Sequence, residues 1–239
     1  MVRRLSAALV LPVACVSLMA GELLAAAPAS ASVAGQVAGY TAPPSAAATQ
    51  TASVTLVVPA VNCKKIPAGG FQAVLAGARL TTPSGNTGGG AVTLCPGPTA
   101  TYSPLIEIDG SSIGTGIVIH PGDTVTVTAS ESAAGSSVTL TDGAQSQTAS
   151  GPGGSVTGED VGDIAVNCMG SACSPVPKSA VTRYSAAAID GRNLVAAGAV
   201  QGNLVDAAGG IEMMSSALIT KRSFKVTWVS SCSTGPGRC

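Results

Sequence analysis

The sequence predicts an all-β protein, an antiparallel two-sheet sandwich. Three observations lead there. Valine alternates with threonine in Thr124-Val125-Thr126-Val127-Thr128, the period-2 signature of a half-buried strand. Turn chemistry recurs at short spacing, as Asp109-Gly110, Pro121-Gly122-Asp123, Asp190-Gly191 and Gly209-Gly210. No segment combines a 3.6-residue apolar period with helix caps. The most helix-like run, Ala196-Ala197-Gly198-Ala199, is broken by glycine. Many short strands between Gly, Pro and Asp turns imply a sandwich or a barrel.

The chain opens with Arg3-Arg4, an apolar run over 5–19 and Ala29-Ser30-Ala31. That pattern reads as a signal peptide over 1–31, cut before Ser32. The run is short for a membrane span, and Pro12 and Glu22 weaken that reading further. No later apolar run is long enough to span, so an exported, soluble mature protein is expected. Residues 32–51 are rich in Ala, Pro and Ser without period, which predicts a disordered tail. The sandwich is expected over 52–231. Its strands are read at 52–58, 70–80, 91–95, 102–108 with a short strand after it, 124–128, 137–141, 161–167, 179–187, 194–206, 211–219 and 224–230. Residues 81–90, TTPSGNTGGG, read as a long glycine-rich loop, and 232–239 as a C-terminal disulfide tail.

The 239 residues carry 12 basic and 12 acidic side chains, so neither a nucleic-acid-binding patch nor a polybasic membrane anchor is expected. Aromatics are only 3%, which leaves the core to Val, Ile, Leu and Ala and gives covalent bridges work to do. Outside the leader lie six cysteines: Cys63, Cys95, Cys168, Cys173, Cys232 and Cys239. In an oxidising compartment an even count predicts disulfides, although the sequence leaves many pairings open. Local pairing, Cys63–Cys95, Cys168–Cys173 and Cys232–Cys239, is the expectation. A zinc site at Cys168 and Cys173 is the alternative, disfavoured by a single histidine and no C-x-x-C.

Several chemical motifs are incomplete. Gly110-Ser111-Ser112-Ile113-Gly114 fits G-x-S-x-G, but a strand follows where a nucleophile elbow needs a helix. The lone His120 precedes any downstream acid and reads as a turn residue. Residues 85–90 lack the Gly-Lys-Ser/Thr ending of a phosphate loop, and no Asp-Thr-Gly occurs. On the strand 102–108, Ile106 and Ile108 share one face while Leu105, Glu107 and Asp109 share the other. Two carboxylates so placed lie about 6–7 Å apart at Cα, a spacing open to acid/base work. The same pattern also reads as a polar solvent face ending in an Asp-Gly turn.

Taken together, Tyr102-Ser103-Pro104-Leu105-Ile106-Glu107 and Pro121-Gly122-Asp123-Thr124-Val125-Thr126-Val127 resemble the secreted glutamic peptidases, the eqolisins. Val58-Pro59, the Cys168/Cys173 pair and the run from Asn203 to Val229 fit the same order. The resemblance implies a concanavalin-like jelly roll and metal-free, cofactor-free endopeptidase activity at acidic pH. In that family a glutamate activates water and a glutamine amide steadies the oxyanion. The resemblance gives Glu159 the glutamate's place, in Thr157-Gly158-Glu159-Asp160-Val161-Gly162-Asp163, and Asp163 that of the second acid. Asn86, in Asn86-Thr87-Gly88, takes the amide's place, with Gln72 as an alternative and Glu107 as a supporting acid. Asparagine thus stands where the family has glutamine, and Leu105 and Asp160 stand where it has tryptophan. Two readings follow: an acid-acting endopeptidase, or a catalytically inactive module binding peptide, glycan or envelope. The expected partner is a polypeptide substrate or an extracellular ligand, and a monomer is expected.

Overall fold

The computed structural model describes residues 36–64, 73–165, 168–169, 172–173, 176–205 and 210–229. The signal peptide, Gln72, Cys232 and Cys239 lie outside the described residues.

In chain order the strands are β1 (Val37–Ala42), β2 (Thr49–Val57), β3 (Val61–Asn62), β4 (Ala73–Thr82), β5 (Gly85–Leu94), β6 (Thr101–Ile108), β7 (Ser111–Ile113), β8 (Thr124–Ser132), β9 (Gly135–Asp142) and β10 (Gln145–Gly151). They continue as β11 (Gly158–Ala165), β12 (Cys168–Met169), β13 (Ala172–Cys173), β14 (Lys178–Ser179), β15 (Thr182–Ile189), β16 (Arg192–Asn193), β17 (Val200–Val205), β18 (Ile211–Ser215) and β19 (Phe224–Trp228). No helix occurs among the described residues. A front layer runs β1-β11-β4-β5-β6-β7 and a back layer β10-β9-β8-β2-β15-β19-β18, with β17 joining them through β18 and β1. Every pairing is antiparallel.

The two layers bury a common core. Ala78, Leu80 and Ile106 face inward from the front, and Val54, Leu56, Val125, Val127 and Leu140 from the back. Each residue of these pairs is separated along its strand by one outward residue, which is the alternation read from the sequence. Aromatics are few but concentrated. Phe224 stacks on Tyr184 at 4.6 Å and meets Tyr40 edge-on at 4.9 Å. A smaller cluster of Val37, Ala73, Leu75, Val92 and Ile164 packs on the outer side of the front layer. The Cys63–Cys95 bridge ties the segment after β3 to the end of β5. Cys168 stands opposite Cys173 in the β12/β13 pairing.

Four expectations are corrected. Part of the supposed tail is β1, held between β11 and β17, and β2 already begins at Thr49. Ala38, Tyr40 and Ala42 enter the core while Gly39 and Thr41 face out, an alternation hidden by small residues. The supposed loop 81–90 is a hairpin: β4 runs to Thr82, Pro83-Ser84 turns, and the glycines belong to β5. Residues 194–199 do not extend a strand, because the N–H groups of Ala197 and Ala199 bond back to the carbonyls of Asn193 and Leu194. Finally, β10 is an edge strand with almost no apolar side chains, which left no periodic signal. The turns fared better. Asp109-Gly110 and Asp190-Gly191 both have positive φ at each residue (48° and 77°, 51° and 69°), as a tight hairpin turn demands.

Candidate functional site

The front layer sorts its side chains by register. Ala42, Glu159, Leu80 and Thr87 are mutually paired across β1, β11, β4 and β5, and all face the core. One residue further along β11, the row Thr41, Asp160, Arg79, Gly88, Glu107 and Ser112 crosses the layer on its outer side. Asn86, paired with Thr81 and through it with Gly158, belongs to the outer side as well.

Asn86 and Glu159 therefore lie on opposite faces of one sheet and cannot share an attacking water. Glu159 is fully buried, and neither carboxylate oxygen has a hydrogen-bond partner. Burial, then repulsion from Asp190, pushes its pKa up to about 8, with Arg192 opposing. It is a proton-holding acid of the interior. Asp163 is buried on the same face two pairs along, where Thr182 Oγ1 (3.0 Å) and Tyr184 OH (2.5 Å) donate to it. Burial pushes its pKa up to about 7 even so. Asp163 lines a small, partly open pocket with Ser179, Thr93 and Met213, between the layers.

The outer row is different. Asp160 Oδ2 accepts from Arg79 Nε (3.0 Å) and Nη2 (2.6 Å), and its Oδ1 accepts from Thr41 Oγ1 (2.7 Å). That carboxylate is fully buried, and both of its oxygens accept hydrogen bonds. Glu107 is half-buried. Burial raises its pKa, while the Arg79 charge and a hydrogen bond from the Asn86 amide pull it back. The structure thus does unite Asn86 with a glutamate, but with Glu107. The missing side chain at Gly88 is what leaves room, since a Cβ there would sit 2.8 Å from Arg79 Cα and 2.5 Å from the Ala78 oxygen. Asp109 is occupied with the neighbouring β4/β5 turn, accepting from Ser84 Oγ at 2.9 Å.

Beside this polar row runs a row with almost no side chains: Gly202, Gly39, Gly162, Gly77 and Gly90, ending at Leu105. A Cβ on Gly39, Gly162, Gly77 or Gly90 would fall 2.0–2.4 Å from a main-chain oxygen of the neighbouring strand. Backbone crowding fixes glycine there. The glycine row lies between Thr41, Asp160, Arg79 and Glu107 on one side and Val37, Ile164, Leu75 and Val92 on the other, and of these flanking residues only Thr41, Arg79 and Glu107 are part-exposed. Sequence reading missed Arg79, Thr41 and this row of glycines. A glycine inside each strand pattern is a signal of close backbone approach, but only the register shows that five of them align.

His120 is an exposed turn residue, its N–H bonded to Asp123 Oδ2 at 2.6 Å, and Ser112 lies in a hairpin. Among the described residues no group of three His, Cys, Asp or Glu side chains is placed to hold a metal ion.

No family model matches this chain, and no curated protein does. Among solved structures the chain is similar to Scytalido-glutamic peptidase in a crystal structure with a peptide based transition state analog. The TM-score is 0.62 at 18% identity, over 82% of this chain and 98% of the other. At that identity the likeness is one of fold.

Proposed function

We propose that this chain is an exported β-sandwich of glutamic-peptidase architecture that binds an extracellular polypeptide and does not cleave it. The observation that carries this reading is the Arg79–Asp160–Thr41 cluster on the outer row. A general base must have a lone pair free to take a proton from water. Asp160, the acid at the centre of the outer face, has committed its oxygens, and Glu159 is sealed in the core. The fold's likeness to a protein solved with a peptide-based ligand supports polypeptide as the bound class. The Cys63–Cys95 bridge supports an oxidising, extracellular setting.

Hydrolysis is the second reading, and one observation favours it. Glu107 and Asn86 form a carboxyl–amide pair on the outer face, the two groups that a metal-free water attack needs. Incubation of the mature protein with denatured casein, at acidic and at neutral pH, separates the readings. Intact casein at both is the expected result. Turnover at acidic pH that resists chelators and disappears in Glu107→Gln would overturn the binding-only reading.

A further inference from the structure

We infer that the free edge of β10 is where the polypeptide docks, adding an extended, uncharged segment to the back layer as one further antiparallel strand. This deepens the polypeptide-binding reading and rests on it. β10 ends the back layer, with β9 on one side and, among the described residues, no strand on the other. All seven of its residues, Gln145–Gly151, pair with β9 in continuous register from Asp142 to Ser136. β10 thus has no bulge to twist it aside, and it holds no lysine, no proline and no charge. Those are the devices by which natural edges avoid pairing. The opposite edge, β7, is kept short, at three residues.

The turn decides which main-chain groups face outward. Gly143, with φ 55°, is the first central residue of a two-residue hairpin closed by Asp142 and Gln145. The closing pair exchanges both main-chain hydrogen bonds, and bonded and unbonded pairs alternate from there. Gln145, Gln147, Ala149 and Gly151 therefore bond to β9, while Ser146, Thr148 and Ser150 aim their N–H and C=O groups away from it. All three residues are exposed, and among the described residues nothing bonds to those groups. They recur every second residue, about 6.8 Å apart, which is the repeat of an extended main chain. The side chains beside them set the class of polypeptide. On the solvent face the hydroxyls of Ser146 and Thr148 pair with Thr141 and Thr139 at 3.0 and 2.9 Å. On the other face Gln147 bonds the 114–116 loop, and Ala149 packs against the core. Threonine and valine on an incoming strand fit both faces, and a charged side chain finds no counter-charge on β10. The partner class is thus a neutral, β-branched extended segment.

The test uses the full mature protein and a fluorescent heptapeptide of alternating threonine and valine, read by anisotropy. A second probe has the same side chains with methyl groups on its five central main-chain nitrogens. The first should bind at least about tenfold tighter than the second, the worth of one or two main-chain hydrogen bonds. Thr148→Pro should weaken the first by a similar factor. It removes an outward N–H and spares the bonds to β9, a position where an edge strand accepts proline. The methylated probe needs only the parent protein, so the comparison stands even if Thr148→Pro fails to fold. Equal binding of the two peptides, or a folded Thr148→Pro that binds the first as the parent does, overturns this inference and leaves polypeptide binding standing. Binding of denatured casein without binding of the heptapeptide does the same. A parent that sediments as a dimer, with Thr148→Pro a monomer, gives the edge to a second copy and overturns the inference as well. Failure to bind casein and both peptides overturns the polypeptide-binding reading itself.

Discussion

At the scale of single residues, the outer row turns on one buried ion pair. Asp160 has no exposure, and its charge is matched by Arg79 and by the Thr41 hydroxyl. Removing the cation leaves a charged carboxylate in a place water does not reach, and that penalty exceeds the net worth of the pair. Arg79→Met is expected to lower stability by about 3–5 kcal/mol in urea unfolding. Arg79→Met with Asp160→Asn should recover much of the loss, because no unpaired charge remains. A double variant as unstable as the single one would show that Arg79 acts through packing. Glu159 is the opposite case: an acid with no cation bonded to it survives in the core by keeping its proton.

At the scale of elements, glycine decides the shape of the front layer. Gly90 has φ 155°, and a Cβ on it would lie 2.0 Å from the Ala76 oxygen, so β5 would have to move away from β4. Gly90→Ala should cost at least about 2 kcal/mol in thermal or urea melts. Gly97→Ala, where nothing lies within 4 Å, should stay within about 0.5 kcal/mol of the parent by the same thermal or urea melts. The back layer shows the converse. Its outward positions are hydroxyls paired across strands, Thr55 with Thr126, Thr139 with Thr148 and Thr141 with Ser146 at 2.9–3.0 Å. That is why β8 and β9 were legible at once: their inward valines and leucine alternate with Thr and Ser. β1 and β5 were misread because Ala and Gly carry little periodic contrast, and their strand character comes from partners on both sides.

At the scale of the whole molecule, β11 threads two raised acids into the interior between the layers, Glu159 and Asp163. Both have folded pKa values above their ordinary ones, about 8 against 4.5 and about 7 against 3.8. The folded state then holds more protons than the unfolded one between those limits, and stability falls as pH rises through that window. The contribution is complete below the ordinary carboxyl range and gone above the folded values. The urea midpoint should therefore be higher near pH 5 than near pH 8. Glu159→Gln should flatten the profile. A midpoint that climbs from the acidic to the alkaline end would contradict the assignment of both acids.

The strand alternation of β6, β8 and β9, the Asp-Gly hairpin turns and the all-β sandwich were legible from residue order, because each depends on neighbours within a few residues. It also brought Asn86 and Glu107 into consideration as site residues. What it could not determine is which acid of Glu159-Asp160 meets the outer face. Successive strand residues point to opposite sides, so the choice rests on whether β11 sets Glu159 beside Leu80 or beside Arg79. That register is fixed by contacts with strands far away in the chain. It alone buried Glu159, tied Asp160 to Arg79, gave Asn86 to Glu107, and aligned glycines from five strands into one row.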